Sequence, residues 1–299
     1  MTKPRAIGRM IGAALLLHLA GGGMRSAGAA NFTWDNGSGD GEWTNDLNWG
    51  TTNPGYPDDA DDIALMQQNG PDGTIHLGAQ VTVGTLRTGT DQAYTVHDFR
   101  FTGAPLTATS IQILSPDVSF RFDNDVLLPV AGTAMIRSHG GSTNVFNGRV
   151  WCNNANGLRL DRSGTGGIAT YRFAASNTLD VSESFTVGNT GNDRTEIILD
   201  TAFPFGQAHL ALHADPPDSF VSLNADVTVL GEFSCGPQTN FTVRVHQGDT
   251  DRTIEFRDML RGGSAKGAIR LGNASDGGAG KVLLRHRPDP AIASDANGF

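Results

Sequence analysis

Sulfur, aromatic rings and basic charge are all scarce in this 299-residue chain. Two cysteines, Cys152 and Cys235, are too few for a disulfide framework. Lys and Arg together number 22 against 31 Asp and Glu, a net charge of −9, which argues against a partner held through its phosphate backbone; such binding needs a basic stripe. After the first twenty residues there is no long apolar run, so no internal transmembrane helix is expected. No window of a dozen residues keeps a 3.6-residue apolar period with helix caps, which excludes a helical domain. The catalytic signatures are missing as well. There is no H-E-x-x-H, no G-x-S-x-G, no phosphate loop and no Cys/His zinc spacing, so no motif names an activity.

What is present begins with an export signal. Residues 1–30 combine Lys3, Arg5 and Arg9 with the apolar stretch from Met10 to Ala20 and the small residues Ala27, Gly28, Ala29 and Ala30. This is the pattern of a secretory signal peptide, too short to span a bilayer as a helix. Cleavage is expected after residue 29 or 30, leaving Ala30 or Asn31 first. The expected location is extracellular or on the outer cell surface. The segment carries four of the 22 basic residues and no acid, so its removal leaves 18 basic against 31 acidic residues, a net of −13.

From residue 60 onward, short alternating or β-branched segments recur between Gly, Asn, Asp, Pro and Ser, as in Val118-Ser119-Phe120-Arg121-Phe122 and Phe241-Thr242-Val243-Arg244-Val245. This is strand and turn chemistry, and 39 glycines suit many tight turns. A weak repeat is superimposed. An apolar residue is followed four positions later by a second one in Phe122/Val126, Phe146/Val150, Leu199/Phe203, Leu223/Val227 and Phe256/Leu260, with Phe173 as an intervening anchor. The spacing predicts a solenoid of one-coil units, an all-β right-handed parallel β-helix with Phe122, Phe146, Leu223 and Phe256 in equivalent inward positions. The longest internal similarity joins residues 143–157 to residues 253–267. A β-sandwich or jelly roll, also built of many short strands, is the competing architecture. In a β-helix the two cysteines would lie about three coils apart, roughly 14 Å along the axis, beyond the reach of a disulfide. Two small buried thiols are therefore expected.

The densest pattern is Trp34-Asp35-x-Gly37-x-Gly39-x-Gly41-x-Trp43-Thr44, followed by Asn48-Trp49 and then Pro57-Asp58-x-Ala60-Asp61-x-Ile63. Residues 32–66 resemble the N-terminal segment of secreted bacterial proteins with autotransporter-associated β-strand repeats. The resemblance implies a parallel β-helix passenger displayed or released at the cell surface, with no common enzymatic activity. The chain departs from that family in lacking a C-terminal translocator barrel and an obvious sorting tail. Residues 31–66 are thus expected to form a Trp/Asp-rich cap and residues 67–299 the β-helix. Read from the residues, the three tryptophans either cover the first open coil, their indole N–H groups reaching turn carbonyls, or present a sugar-stacking platform.

Candidate chemistry is sparse. Asp58, Asp59, Asp61 and Asp62 offer oxygens for Ca²⁺, but their spacing matches no calcium loop and a solvated acidic turn is the expectation. Asp123 and Asp125 either share a strand face, as paired carboxylates of a polysaccharide-cleaving enzyme would, or form a polar turn between Phe122 and Val126. His139, His209 and His213 are isolated. No catalytic, cofactor or metal residue is assigned. Two function classes remain. One is a secreted or cell-surface β-helix scaffold, adhesin-like and without catalysis. The other is an extracellular carbohydrate-active β-helix enzyme, a polysaccharide lyase or glycoside hydrolase. The expected partners are extracellular polysaccharide or surface ligands, not nucleic acid.

Overall fold

The structure is a computed structural model. It describes residues 29–50, 52–67, 73–89, 98–116, 118–128, 134–152, 157–164, 166–174, 179–181, 184–187, 195–202, 204, 209–212, 219–231, 233–235, 240–246, 251–257, 260–262, 268–271 and 281–286. The predicted signal peptide, apart from residues 29 and 30, lies outside them, as do Phe203 and His213.

Alternating small apolar strands joined by Gly, Asn and Asp turns bury one face each, and here they do so by stacking coil upon coil. The described residues form parallel strands in three columns, with one short 3-10 turn at Asp46–Asn48. The first sheet runs from Asn31–Trp34 through Ile63–Met66, Val81–Thr88, Leu106–Ile113, Ala134–His139 and Leu158–Ser163 to Leu260–Gly262. The second runs from Gly73–Leu77 through Asp98–Gly103, Ser119–Phe122, Thr143–Phe146, Ala169–Phe173, Thr195–Leu199, Ser219–Leu223 and Asn240–Val245 to Ala268–Leu271. A third column holds Val126–Leu127, Val150–Cys152 and Leu179–Val181, and further along Val227–Val229, Arg252–Phe256 and Val282–His286. This is a parallel β-helix. A sandwich or jelly roll, which needs antiparallel pairing, is excluded.

One coil shows how the sequence builds it. Ser119–Phe122 lies in the second sheet, Asp123-Asn124-Asp125 turns the corner, Val126–Leu127 joins the third column, Ala134–His139 the first sheet, and Gly140 to Ser142 leads back to Thr143–Phe146. The apolar pair four residues apart is therefore a corner device. Its first member closes one inward strand face and its second opens the next. Phe122, Phe146, Phe173, Leu199 and Leu223 occupy one inward rung position, flanked by Phe101 on one side and Val245 on the other. Four of these rings stack face to face, with centroids 5.0 Å apart for Phe101/Phe122 and 5.2 Å for both Phe122/Phe146 and Phe146/Phe173. All four are fully buried. Stacked aromatic pairs add about 0.5–1.5 kcal/mol each beyond their burial.

Phe256 departs from the expectation. It is buried, but in register with Val229 in the third column, and the coil after Leu223 is closed by Val245 instead. The similarity between residues 143–157 and 253–267 therefore joins strands from different columns. Coil length explains the slip: along this ladder from Phe101 to Val245 successive rungs lie as few as 21 residues apart (101 to 122) and as many as 27 (146 to 173), so no fixed period holds the register.

The Trp-rich segment covers the open edges at the start of the solenoid. Asn31–Trp34 pairs with Ile63–Met66 at the edge of the first sheet. Residues 41–43 pair with the edge of the second, where His76 N–H donates to Gly41 O at 2.8 Å and Trp43 N–H to His76 O at 2.9 Å. Trp34, Trp43 and Trp49 are 2%, 0% and 3% exposed. Trp43 and Trp49 pack edge to face at 4.7 Å, Trp34 and Trp49 at 5.0 Å. Two of the three indoles make the expected bond to a carbonyl, Trp43 Nε1 to Pro57 O at 3.0 Å and Trp49 Nε1 to Trp43 O at 2.7 Å. The rings form a cap and present no platform. Asn48, fully buried, ties the loop together: its amide donates to Asp40 Oδ1 and Glu42 O, and its carbonyl oxygen accepts from Ser38 N–H and Oγ–H. Gly41 is required here, because a Cβ would stand 2.6 Å from Thr74 O and its φ is +72°.

Candidate functional site on the outer faces of the solenoid

A parallel β-helix buries its inward residues, so any chemistry must sit on outward rungs or corner turns. The acidic residues singled out in sequence fall at corner turns and are engaged with neighbouring backbone or coils. Asp62 is 3% exposed; its carboxylate accepts from the N–H groups of Ala30 at 3.3 Å, Asp58 at 3.1 Å and Asp59 at 3.2 Å. It ties the end of the Asp58–Asp62 turn to the start of the first strand. Among the described residues no three His, Cys, Asp or Glu side chains gather as metal ligands.

Asp123 and Asp125 lie in the corner turn and not on a shared strand face. Asp123 accepts from Arg100 on the preceding coil and from Asn147 on the following one. Burial alone would raise its pKa, but the bonds from Asn147 and Arg100, with the charge of Arg100, outweigh it and hold the carboxyl below its ordinary value. Asp125 accepts from Arg149 N–H at 2.9 Å. The same corner recurs three coils on, where Asp200 accepts from Arg172 and from Asn224 at 2.8 Å. This is a ladder of cross-coil clamps. His139 is 8% exposed with Nδ1 2.8 Å from Gly140 O, and His209 lies in the strand His209–Leu212. Cys152 is buried in the third column and Cys235 belongs to a first-sheet strand, so the two do not adjoin.

Two outward clusters escaped the sequence reading. On the second sheet, Glu196, Ser222 and Arg244 come from three successive coils. Ser222 Oγ–H donates to Glu196 Oε1, Arg244 Nη2 donates to the same oxygen at 2.8 Å, and Arg244 Nε donates to Ser222 Oγ at 2.8 Å. The guanidinium lies 4.2 Å above the Phe220 ring, and His246 Nδ1 is 3.8 Å from Glu196 Oε1. An acid, a hydroxyl and an imidazole are here together, yet Ser222 is 0% exposed and both its proton and a lone pair are engaged. A substrate has no approach to that oxygen. The trio fastens coils together as a buried ion pair.

The second cluster lies on the outer face of the first sheet. Arg87, Gln112, Arg137 and Asp161 stand in register on four successive coils, with Arg159 two residues before Asp161 on the same strand face. Asp161 is 1% exposed, and its carboxylate meets Arg159 Nε at 2.8 Å and Arg137 Nη2 at 3.4 Å. From inside the coil Tyr171 donates its hydroxyl to the Asp161 and Ile136 backbone carbonyls. Burial, then the Asp161 charge, pushes that phenol far above its ordinary pKa and keeps it neutral. The arrangement offers guanidinium donors to an anion and supplies neither an unengaged general base nor a nucleophile. Trp151, the remaining tryptophan, is half-buried on the outer side of the third column.

No protein-family model, no curated protein and no solved structure matches this chain. Among the described residues no helix is long and apolar enough to cross a membrane.

Proposed function

We propose that the protein is an exported, non-enzymatic β-helix scaffold that works by shape and surface outside the cell. The observation that carries this reading is the fate of the acidic groups. Asp62, Asp123, Asp125, Asp161, Asp200 and Glu196 all spend their oxygens on backbone N–H groups or on Arg, Asn and Ser of neighbouring coils. A lyase or hydrolase needs carboxylates or a base aimed at a substrate, with at least one poised to exchange a proton. The Trp-sealed end suits a rigid rod, and the resemblance of residues 32–66 to autotransporter-associated repeat proteins supports display at a surface. Export is read from residues 1–30. Expression of the full chain in a secreting bacterium tests this part directly. The protein should collect outside the cytoplasm with Ala30 or Asn31 at its N-terminus. Retention inside, or secreted material beginning at Met1, would overturn it.

A further inference from the structure

We infer that the arginine strip on the outer face of the first sheet is a binding site for an acidic polysaccharide. The strip consists of Arg87, Gln112, Arg137, Asp161 and Arg159. It holds three guanidinium groups and one carboxylate in a chain whose overall charge is −9. Asp161 can neutralise only one of the three. Arg87 has no acidic partner among the described residues. The donors are also incompletely used: Arg87 Nε, Arg137 Nε and Arg159 Nη2 are buried N–H groups without an acceptor there. Buried N–H donors without partners are costly, and an anion laid across them would remove that cost. Arg137 and Arg159 nevertheless keep 35% and 30% of their side chains exposed, so the strip is reachable from solvent.

Geometry selects the class of anion. Coils repeat at about 4.8 Å, so Arg87 and Arg137, two coils apart, are separated by roughly 10 Å along the axis, with the Gln112 rung between them. A linear ligand with intermittent negative groups fits this line. Guanidinium pairs its planar fork with the planar carboxylate of a uronate, and with sulfate oxygens in a similar way. Duplex nucleic acid carries a charge every 1.7 Å or so and calls for a much wider basic surface than three cations. The choice of a polysaccharide rests on the reading of the protein as exported; the anion site itself rests on the strip alone.

The test is affinity electrophoresis of the purified full-length chain in gels containing polygalacturonate, dextran sulfate, neutral dextran or single-stranded DNA. Retardation is expected with polygalacturonate or dextran sulfate, the stronger of the two naming the preferred anionic group. None is expected with dextran, and added salt should weaken it. Arg87→Gln should lower the affinity about tenfold, the worth of one charge-assisted hydrogen bond, with an unchanged melting curve. Because Arg137 supports a buried carboxylate, Arg137→Gln is made in an Asp161→Asn background, and the pair should bind more weakly than Asp161→Asn alone. The inference fails if neither acidic polymer retards the protein, if Arg87→Gln and the double variant leave retardation unchanged, or if single-stranded DNA retards it equally. Binding accompanied by shortening of the polymer would keep the strip and overturn the non-catalytic reading. No binding by correctly exported protein would sink the strip alone.

Discussion

Trp43→Ala probes how the solenoid is sealed. The Trp43 ring is 0% exposed and lies between Trp34, Trp49 and Phe101, at centroid distances of 6.5, 4.7 and 6.5 Å. Truncating a buried large aromatic costs about 3–5 kcal/mol through lost transfer energy and the cavity left behind. The Pro57 carbonyl, bonded to the indole N–H at 3.0 Å, also loses its donor. That places the substitution at the upper end of the range, and Trp43→Phe, which keeps most of the ring but not the donor, at about 1–3 kcal/mol. A solenoid couples each coil mainly to its neighbours, so the damage should be graded along the axis. Hydrogen exchange is the suitable assay. The His76 amide, which donates to Gly41 O, should lose protection strongly, while amides in Ala169–Phe173, several coils away, should change little. Denaturant titration should show the loss of stability. A Trp43→Ala protein with unchanged stability and unchanged exchange at His76 would refute the cap. It would mean that the ring contributes no sealing contact and is available to a ligand.

Phe146 is stacked on both Phe122 and Phe173, so Phe146→Leu should cost about 1–3 kcal/mol from two lost stacking contacts, and Phe146→Ala about 3–5 kcal/mol, by chemical denaturation. Arg244→Met should cost about 3–5 kcal/mol because it strips a buried Glu196 of its cation; pairing it with Glu196→Leu should recover most of the loss, and no recovery would contradict the clamp. Asp123 is held below the ordinary carboxylate pKa in the fold, so the unfolded chain binds the proton more readily, and its contribution is present above about pH 4 and lost as pH falls through the folded value. Asp123→Asn should therefore lower the melting temperature at neutral pH and flatten its decline in acid; an unchanged acid limb would count against the clamp.

Much of the fold was legible because the apolar pair four residues apart is a local consequence of turning a corner. Phe122/Val126, Phe146/Val150 and Leu223/Val227 each close one strand face and open the next. Burial of the tryptophans was legible too, since interleaved Gly and Asn allow the close backbone approaches that Gly41 requires. Phe256 misled because its pair with Leu260 turns a different corner, from the third column to the first sheet, and pattern alone does not number the corners. The outward clusters were hidden for another reason. Arg87, Arg137 and Asp161 each follow an inward aliphatic residue, Leu86, Ile136 and Leu160, and look like ordinary solvated strand positions. Only the register, fixed by coils of unequal length, brings them into one line. The Glu196–Arg244 pair, 48 residues apart in sequence, is invisible for the same reason.

The central claim is action by surface without turnover, and polymer chain length measures it most directly. The purified protein is incubated at length with polygalacturonate and with alginate, with and without Ca²⁺. Size-exclusion profiles and new reducing ends or unsaturated uronates are then followed. The account predicts polymer of unchanged length even where the polymer is bound. Sustained shortening that disappears on Asp123→Asn, Asp125→Asn or Asp161→Asn in a protein that still folds would contradict it and make the molecule an enzyme.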